Sequence, residues 1–207
     1  MCVRWYSGVS ALVSLLVLPV WAEGAWKSSR DVSGVTVQSR DTSSKYKEHR
    51  GSVSLCGDLQ TVLLFVADVD QLPQWVPNTP SARKLEESAS GIVYHVVTKA
   101  PWPYKPRDMI YALEVDLQGS SARVTMKGLP ERIPPEAGMY RMKAADGLWT
   151  FQPKGDQLEV TLRLWIDPGG GPAALVNRRA GTTVGRMLAN LGKKFTCSTQ
   201  TMIVSSA

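Results

Sequence analysis

The sequence predicts an α+β protein in which a strongly curved antiparallel sheet wraps around one long C-terminal helix. Segments between Gly34 and Ile166 alternate apolar and polar residues, which is typical of antiparallel strands with one buried face. After the glycine-rich segment DPGGGP, the chain from Pro172 contains no further proline, and its apolar residues follow helical spacing. A curved sheet around this helix buries both apolar faces with short connections.

The composition is that of one globular domain, with 207 residues, 43% hydrophobic and 20% charged. The net charge of +6 favours anionic surfaces, but the sequence lacks the dense basic clusters of nucleic-acid-binding proteins, so no nucleic-acid partner is expected. The two histidines and three cysteines form neither a CxxC nor an HExxH motif. We therefore expect no metal site and no cofactor.

The N-terminus resembles a signal peptide. Arg4 precedes an apolar run, Val9 to Val20, of 12 residues, which is shorter than the roughly 20 that a membrane-spanning helix needs. Val20-Trp21-Ala22 fits a signal peptidase site. We expect a signal peptide over residues 1–22, a single domain over 23–200, a flexible tail over 201–207, and a periplasmic or secreted protein after cleavage near Ala22. A retained anchor is the alternative.

Export would leave Cys56 and Cys197 in an oxidising compartment. They would either form a disulfide that closes most of the domain or remain two small buried thiols.

The first elements predicted are a hairpin and a short helix. Gly34–Thr42 and Tyr46–Leu55 form the hairpin, and Asp58 caps a helix that Pro73 stops. The remaining strands are predicted over Ala82–Ser88, Ile92–Lys99, Met109–Leu117, Ala122–Lys127, Met139–Lys143 continuing through Leu148–Gln152, and Leu158–Ile166.

The long helix starts with Pro172 in its first turn. Its apolar face contains Val184, Met187, Leu188, Leu191 and Phe195. Three interior glycines each cost about 1 kcal/mol of helix propensity, so packing must hold the helix in place, and it could lift.

Four segments in this order resemble a START lipid-transfer domain. They are QLPQWVPN around Trp75, APWPYKPRD over residues 100–108, a strand with Arg141 followed by GLWTFQP, and WIDPGGGPAALVN before the last helix. The resemblance covers roughly residues 26–195. It implies a helix-grip fold with a tunnel for one lipid or sterol-like molecule. The apolar pattern alone favours an ordinary filled core and cannot separate it from a hollow one.

The resemblance also implies which residues form the tunnel. The expected lipid-binding residues are Trp102, Tyr111, Leu113, Val115, Val124, Met126, Trp149, Phe151, Leu162, Leu164, Val184, Met187, Leu188 and Leu191. Arg107, Asp108 and Arg141 are expected to be structural or gating polar residues, with Asp108 accepting hydrogen bonds from backbone N–H groups or from Arg141. Some sterol-binding relatives carry an acid and an arginine where this chain has Val96 and Leu113. We therefore expect a uniformly apolar ligand, or one whose head group stays near the entrance.

Two proline-rich loops, Pro101–Pro106 and Gly128–Gly138, are predicted to form the entrance together with the last helix. Trp102 and Tyr104 suit a lipid interface. Arg178, Arg179, Arg186, Lys193 and Lys194 would attract an anionic membrane transiently or simply form a solvated helix face.

The function predicted is non-enzymatic binding and transfer of one hydrophobic ligand by a monomer. Two alternatives stay open. One is a helix-grip enzyme of cyclase or hydrolase type that uses His95, Glu114 or Asp116, although the sequence has no Ser-His-Asp order or nucleophile elbow. The other is a secreted adaptor that binds a protein through Trp165 or the basic helix.

Overall fold

A computed structural model describes residues 24–89 and 91–197, so the predicted signal peptide and the tail over 201–207 lie outside the described residues. The strands are β1 (Lys27–Val32), β2 (Val35–Arg40), β3 (Glu48–Leu55), β4 (Ser81–Ser88), β5 (Gly91–Thr98), β6 (Arg107–Gln118), β7 (Ser121–Gly128), β8 (Tyr140–Arg141), β9 (Ala144–Lys154) and β10 (Gln157–Asp167). The helices are α1 (Leu59–Ala67), a 3-10 turn (Val69–Gln71), α2 (Leu72–Trp75) and α3 (Ala173–Lys194).

All ten strands join one curved sheet, in the order β1-β2-β3-β10-β9-β7-β6-β5-β4, with antiparallel neighbours and the short β8 pairing parallel to β6. The helix α3 packs on β1, β2, β3 and β10. This arrangement confirms the predicted α+β class and the helix-grip fold. In the described part of the chain, no helix is long and apolar enough to cross a bilayer.

The helical segment after β3 differs from the prediction of a single helix that ends at Pro73. The side chain of Asp58 accepts the N–H of Thr61 at 2.9 Å and caps α1, as expected. However, α1 ends at Ala67, and Pro73 lies in the first turn of α2. Because the first-turn N–H groups of a helix have no partner within it, proline starts a helix there instead of stopping one.

One strand was not predicted, and one predicted strand was wrong. The strand β1 was not predicted because KSSRDV lacks alternation, yet it pairs with β2 through a turn in which Ser33 and Gly34 both have positive φ, 57° and 84°. The continuous strand predicted from Met139 is broken in two. The N–H of Met142 donates to Asp108 on β6 at 3.0 Å, and the N–H of Lys143 donates to Asp167 on β10 at 2.9 Å, so the chain changes partners there.

The helix α3 has 22 residues and is about 33 Å long. Pro172 is its N-cap and does not lie in the first turn. A Cβ on Gly185 would lie 2.5 Å from Cβ of Val32, so this glycine lets the helix approach the sheet closely. The loss of helix propensity at this position thus accompanies close packing.

A disulfide joins Cys56 to Cys197, with the Cα atoms 4.9 Å apart. Beside it, the backbone N–H of Cys56 donates to the carbonyl of Phe195 at 3.0 Å. These bonds attach the C-terminal end of α3 to the end of β3.

Candidate ligand-binding site

The interior consists of two halves, which we call the filled half and the hollow half. The filled half lies under the C-terminal part of α3 and contains fully buried side chains in mutual contact. Five residues expected in the tunnel lie in this half and line neither of the two cavities described below: Val124, Phe151, Val184, Leu188 and Leu191. They face the interior as the alternation predicts, but the volume there is already occupied by other side chains.

The hollow half contains an inner cavity of about 130 Å³ between the sheet, the α1–α2 segment and α3. Seven of the expected tunnel residues line it: Tyr111, Leu113, Met126, Trp149, Leu162, Leu164 and Met187. The two positions where sterol-binding relatives carry polar groups, Val96 and Leu113, both face this cavity. Its walls are mostly apolar, and their polar groups include the hydroxyls of threonine and tyrosine side chains.

Several residues of the cavity wall were not predicted from the sequence. Tyr94 and Thr98 flank Val96 on the same face of β5, and Trp75 closes the cavity from α2. On α3 the lining residues that were not predicted are small, Ala180 and Thr183. A stripe with four- and three-residue spacing, Val176, Ala180, Thr183 and Met187, was the signal that could have identified them.

A second cavity of about 110 Å³, the mouth cavity, lies between the loop after β5, the glycine-rich loop before α3 and the N-terminal part of α3. It shares five lining residues with the inner cavity: Thr98, Met142, Ile166, Ala180 and Thr183. The two cavities are therefore adjacent, and together they mark a path from the surface to the interior, with the shared side chains between them. The glycine-rich loop, through Gly170 and Gly171, is a part of the entrance that the sequence analysis did not assign.

Two expected tunnel residues lie outside the path. Trp102 is 93% exposed because it lies on a turn that projects into solvent, where the N–H of Tyr104 donates to Pro101. Val115 is 37% exposed, because β6 extends there beyond the first residue of β5, Gly91, which pairs with Glu114. Leu117, the next residue on this face of β6, is 65% exposed.

The cavity volumes of about 130 and 110 Å³ are smaller than the 300–1,000 Å³ typical of ligand pockets. An engineered cavity of about 150 Å³ holds a benzene ring. A ligand of lipid size therefore requires the walls to move apart, and the helix and loops at the mouth are the elements that border the path.

Two tyrosines are the titratable groups on the inner wall. Their rings stack with centroids 5.6 Å apart, and the hydroxyl of Tyr94 donates to Sδ of Met126 at 3.2 Å. Burial raises the pKa of both Tyr94 and Tyr111 far above the ordinary value, so both hydroxyls remain protonated and neutral. The wall thus offers hydrogen-bond donors without charge.

A polar cluster lies on the opposite face of the sheet, away from the cavities. Asp108 is fully buried and accepts hydrogen bonds from Nε and Nη2 of Arg141 at 3.1 and 2.8 Å, and its Oδ2 lies 3.0 Å from Nε2 of His95. Burial alone would disfavour the charged carboxylate, but the hydrogen bonds from Arg141 and His95 outweigh it and lower the pKa of Asp108. These contacts connect β5, β6 and β8 on the outer face of the sheet.

The same cluster corrects the prediction for the second proline-rich loop, Gly128–Gly138. Arg141 donates to the carbonyls of Pro130, Ile133 and Pro134, which holds this loop against the outer face of the sheet. The loop therefore does not border the mouth, whereas Arg107, next to Asp108 but facing the other way, lines the mouth cavity.

His49 faces α3 from β3. A Cβ on Gly181 would lie 3.0 Å from its Nδ1, and neither ring nitrogen has a hydrogen-bond partner among the described residues. Burial, reinforced by the charges of Arg30 and Lys47 and opposed by Glu48, lowers the pKa of His49 to about 4. The imidazole is thus neutral at neutral pH and contributes to the contact between helix and sheet.

A curved sheet that encloses a path of this kind beneath a long C-terminal helix defines a helix-grip protein with an internal apolar cavity. Residues 57–191 match the family described as polyketide cyclase / dehydrase and lipid transport. This match spans more than half of the chain, so the protein belongs to that family.

Individual relatives agree with this assignment. A Pseudomonas aeruginosa protein, PA1579, is 30% identical over 156 residues, which is 73% of this chain and 77% of the relative. The crystal structure of a STAR-related lipid transfer protein fragment from Xanthomonas axonopodis superposes with a TM-score of 0.74 at 27% identity, covering 81% of this chain and 97% of that one. Human StAR-related lipid transfer protein 5 shares the fold, with a TM-score of 0.69 at 19% identity over 82% of this chain and 86% of its own.

Proposed function

We propose that the protein binds one hydrophobic molecule in the hollow half and transfers it between membranes, without chemical change. The observation that carries this proposal is the pair of adjacent cavities, in which the mouth cavity at the surface borders an inner cavity with mostly apolar walls. Removing apolar ligand surface from water stabilises such a complex by about 25 cal/mol per Å². The lipid-transfer function named for the Xanthomonas axonopodis relative supports the same proposal.

The two ends of α3 differ in a way that suits opening at the mouth. At the C-terminal end, the disulfide between Cys56 and Cys197 fixes the helix covalently. At the N-terminal end, the helix is held by polar contacts, including Arg30 to the carbonyl of Arg178 at 2.7 Å and the side chain of Asn177 to the N–H of Lys47 at 2.8 Å. Such contacts exchange with water at small cost, so the mouth end lifts while the far end stays attached.

The mouth carries the features of a membrane contact. Trp102 projects into solvent from the loop that lines the mouth, with Tyr104 behind it, and amphipathic rings of this kind insert at lipid head groups. Replacing Trp102 by Ala should reduce binding to anionic vesicles in a sedimentation assay, whereas Trp26→Ala, on the far side of the sheet, should not. Equal vesicle binding by both variants would contradict this contact.

The cellular compartment and the oligomeric state of the protein are also part of the proposal. A disulfide is stable in the oxidising environment outside the cytoplasm, so it supports a periplasmic or secreted protein. Processing near Ala22 and a monomeric state belong to the same proposal.

Placement of the acid–base candidates favours a binding protein over an enzyme. His95 lies on the outer face of the sheet against Asp108, and Glu114 and Asp116 are exposed on β6. None of these three lines the inner cavity. Trp165, the candidate for an adaptor surface, is half-buried and donates from Nε1 to the carbonyl of Tyr46 at 3.2 Å.

Native mass spectrometry after incubation with mixed phospholipid vesicles tests the proposal. We expect one lipid per protein molecule. The variant Val96→Trp places a large ring in the inner cavity and should abolish the adduct, whereas Val115→Trp, on the exposed end of β6, should retain it. Circular dichroism confirms that both variants are folded, and Leu113→Phe provides a milder block. An adduct retained by both blocking variants would contradict the proposal.

A further inference from the structure

The mouth cavity and the inner cavity differ sharply in charge. The residues that line the inner cavity include no charged side chain. In contrast, the mouth cavity is lined by Lys99, Arg107 and Arg179, and its lining includes no carboxylate. The path therefore changes within a few residues from a cationic entrance to a neutral apolar interior.

These three cations have no carboxylate in ion-pair range anywhere in residues 24–89 and 91–197. Elsewhere on the surface, exposed lysines do find acidic partners, such as Lys127 with Asp146 at 2.9 Å and Lys154 with Glu159 at 2.7 Å. A cluster of like charges around a cavity is unfavourable unless an anion compensates it.

The guanidinium of Arg107 is held in a fixed position at the mouth. It lies 5.5 Å from the ring centre of Tyr104 and 5.4 Å from that of Tyr140, and its Nη1 donates to the carbonyl of Lys105 at 2.6 Å. Arg179 donates to the carbonyl of Lys99 at 3.3 Å from the facing turn of α3. Guanidinium groups that are oriented in this way suit carboxylate and phosphate oxygens, which accept two hydrogen bonds from one arginine.

The basic character continues along α3 outside the mouth. A groove that shares Asn78, Leu175, Arg179 and Thr183 with the mouth cavity is also lined by Arg178 and Arg186, again without a carboxylate among its lining residues. A head group larger than a single carboxylate therefore meets further cations on its solvent side.

We propose that the ligand is an anionic amphiphile, whose carboxylate or phosphate head group lies in the mouth cavity against Arg107, Arg179 and Lys99 while its apolar part occupies the inner cavity. This inference rests on the proposed function and adds the ligand class to it. The head group needs no burial, because the mouth cavity opens to solvent at one side and the cations lie at its wall.

Isothermal titration calorimetry with decyl phosphate and decanol, each as monomers below its aggregation concentration, tests the inference without a membrane. Both probes carry the same chain, so a difference in affinity reports the head group alone. We expect decyl phosphate to bind at least about tenfold more tightly, which is the contribution typical of a hydrogen bond to a charged group.

Variants test which residues cause the preference for decyl phosphate over decanol. Arg107→Gln and Arg179→Gln should each reduce the ratio of the two affinities by about threefold or more, while decanol affinity stays the same. Arg107→Lys should recover part of the loss, since lysine keeps the positive charge but cannot donate two parallel hydrogen bonds to one head group. The matched control is Lys193→Gln, an exposed cation on the same helix at its far end, which should leave the ratio unchanged.

The outcomes separate the inference from the proposed function. Equal affinities for decanol and decyl phosphate, both lost in Val96→Trp, would overturn the anionic head group and leave hydrophobic binding intact. Inorganic phosphate that binds as tightly as decyl phosphate would also overturn the inference, because the alkyl chain of the probe would then contribute nothing to the affinity. Failure of both decyl probes to bind would contradict the proposed function itself.

Discussion

The filled and hollow halves of the interior are built from strands with the same alternating pattern, yet only one of them contains space. On β9 and β10, Phe151 and Val160 pair directly in the filled half, and Trp149 and Leu162 pair in the hollow half. The strand side chains thus do not explain the difference. The helix does, because it presents large side chains at one end and small ones at the other.

Where α3 covers the filled half, Leu188 and Leu191 reach the sheet and leave no volume open. Where it covers the hollow half, Ala180 and Thr183 take the corresponding positions, and the space that longer side chains would fill becomes the inner cavity. Side-chain volume on one helix face therefore decides whether this fold has a solid core or a binding site.

The largest effect expected concerns the attached end of α3. Replacing both Cys56 and Cys197 by Ser removes a cross-link between residues 141 positions apart, so the free energy of unfolding should fall by about 5 kcal/mol on the chain-entropy model. Urea denaturation measures the loss. The cross-link restricts the unfolded chain much more than the folded one. Its removal therefore lowers the free energy of unfolding mainly by giving the unfolded chain more conformational freedom. A loss below about 1 kcal/mol would show that this end needs no covalent attachment.

The second prediction compares the same substitution in the two halves. Leu188→Ala in the filled half should cost about 3 to 5 kcal/mol of unfolding free energy, because it opens a new cavity in dense packing. Leu164→Ala, on the wall of the inner cavity, should cost about 2 kcal/mol, because that side chain already lacks neighbours on one side. Equal costs, measured by urea denaturation, would remove the distinction between the halves.

The third prediction concerns His49, which supports α3 from beneath. Its pKa is about 4 in the folded protein and ordinarily 6.5, so between these pH values the unfolded chain binds a proton that the folded protein does not. The free energy of unfolding should therefore decrease as the pH falls from 6.5 to 4, by up to about 3 kcal/mol, with no further change from this group below pH 4.

The control for this prediction is His49→Gln, which cannot take up a proton. Thermal unfolding of both proteins across this pH range should show a steeper fall for the natural protein. Parallel curves would mean that the imidazole is not held neutral beneath α3.

The smallest effect should come from filling the existing space. Ala180→Leu extends the helix side chain towards the inner cavity and should change the free energy of unfolding by no more than about 1 kcal/mol, in either direction. Val184→Leu, one turn further in the filled half, should cost about 1 to 3 kcal/mol through overpacking. A larger cost for Ala180→Leu would indicate that the cavity cannot accept added volume.

Sequence periodicity was sufficient to predict most of the fold, because strand alternation and helix spacing are local properties. It identified the interior faces of β6, β9, β10 and α3. It failed at Pro73, where one residue type is compatible with both the start and the end of a helix, and between Met139 and Lys143, where the strand changes partners through tertiary contacts.

Periodicity could not separate the two halves of the interior. Leu162 and Leu188 both lie on predicted apolar faces, but only the first borders the cavity, because this depends on which side chains meet across the interior. The position of the loop Gly128–Gly138 could not be predicted from periodicity either, because it depends on hydrogen bonds from Arg141 to three carbonyl groups of the loop.

Methyl NMR gives the most direct test of the central claim that the hollow half receives the ligand. In protein with labelled methionine methyls, Met126, Met142 and Met187 line the inner cavity, whereas Met139 lies outside it. With decanol bound, we expect intermolecular nuclear Overhauser effects from the alkyl chain to the first three methyls and none to Met139. Effects confined to Met139 and other surface groups would contradict the account.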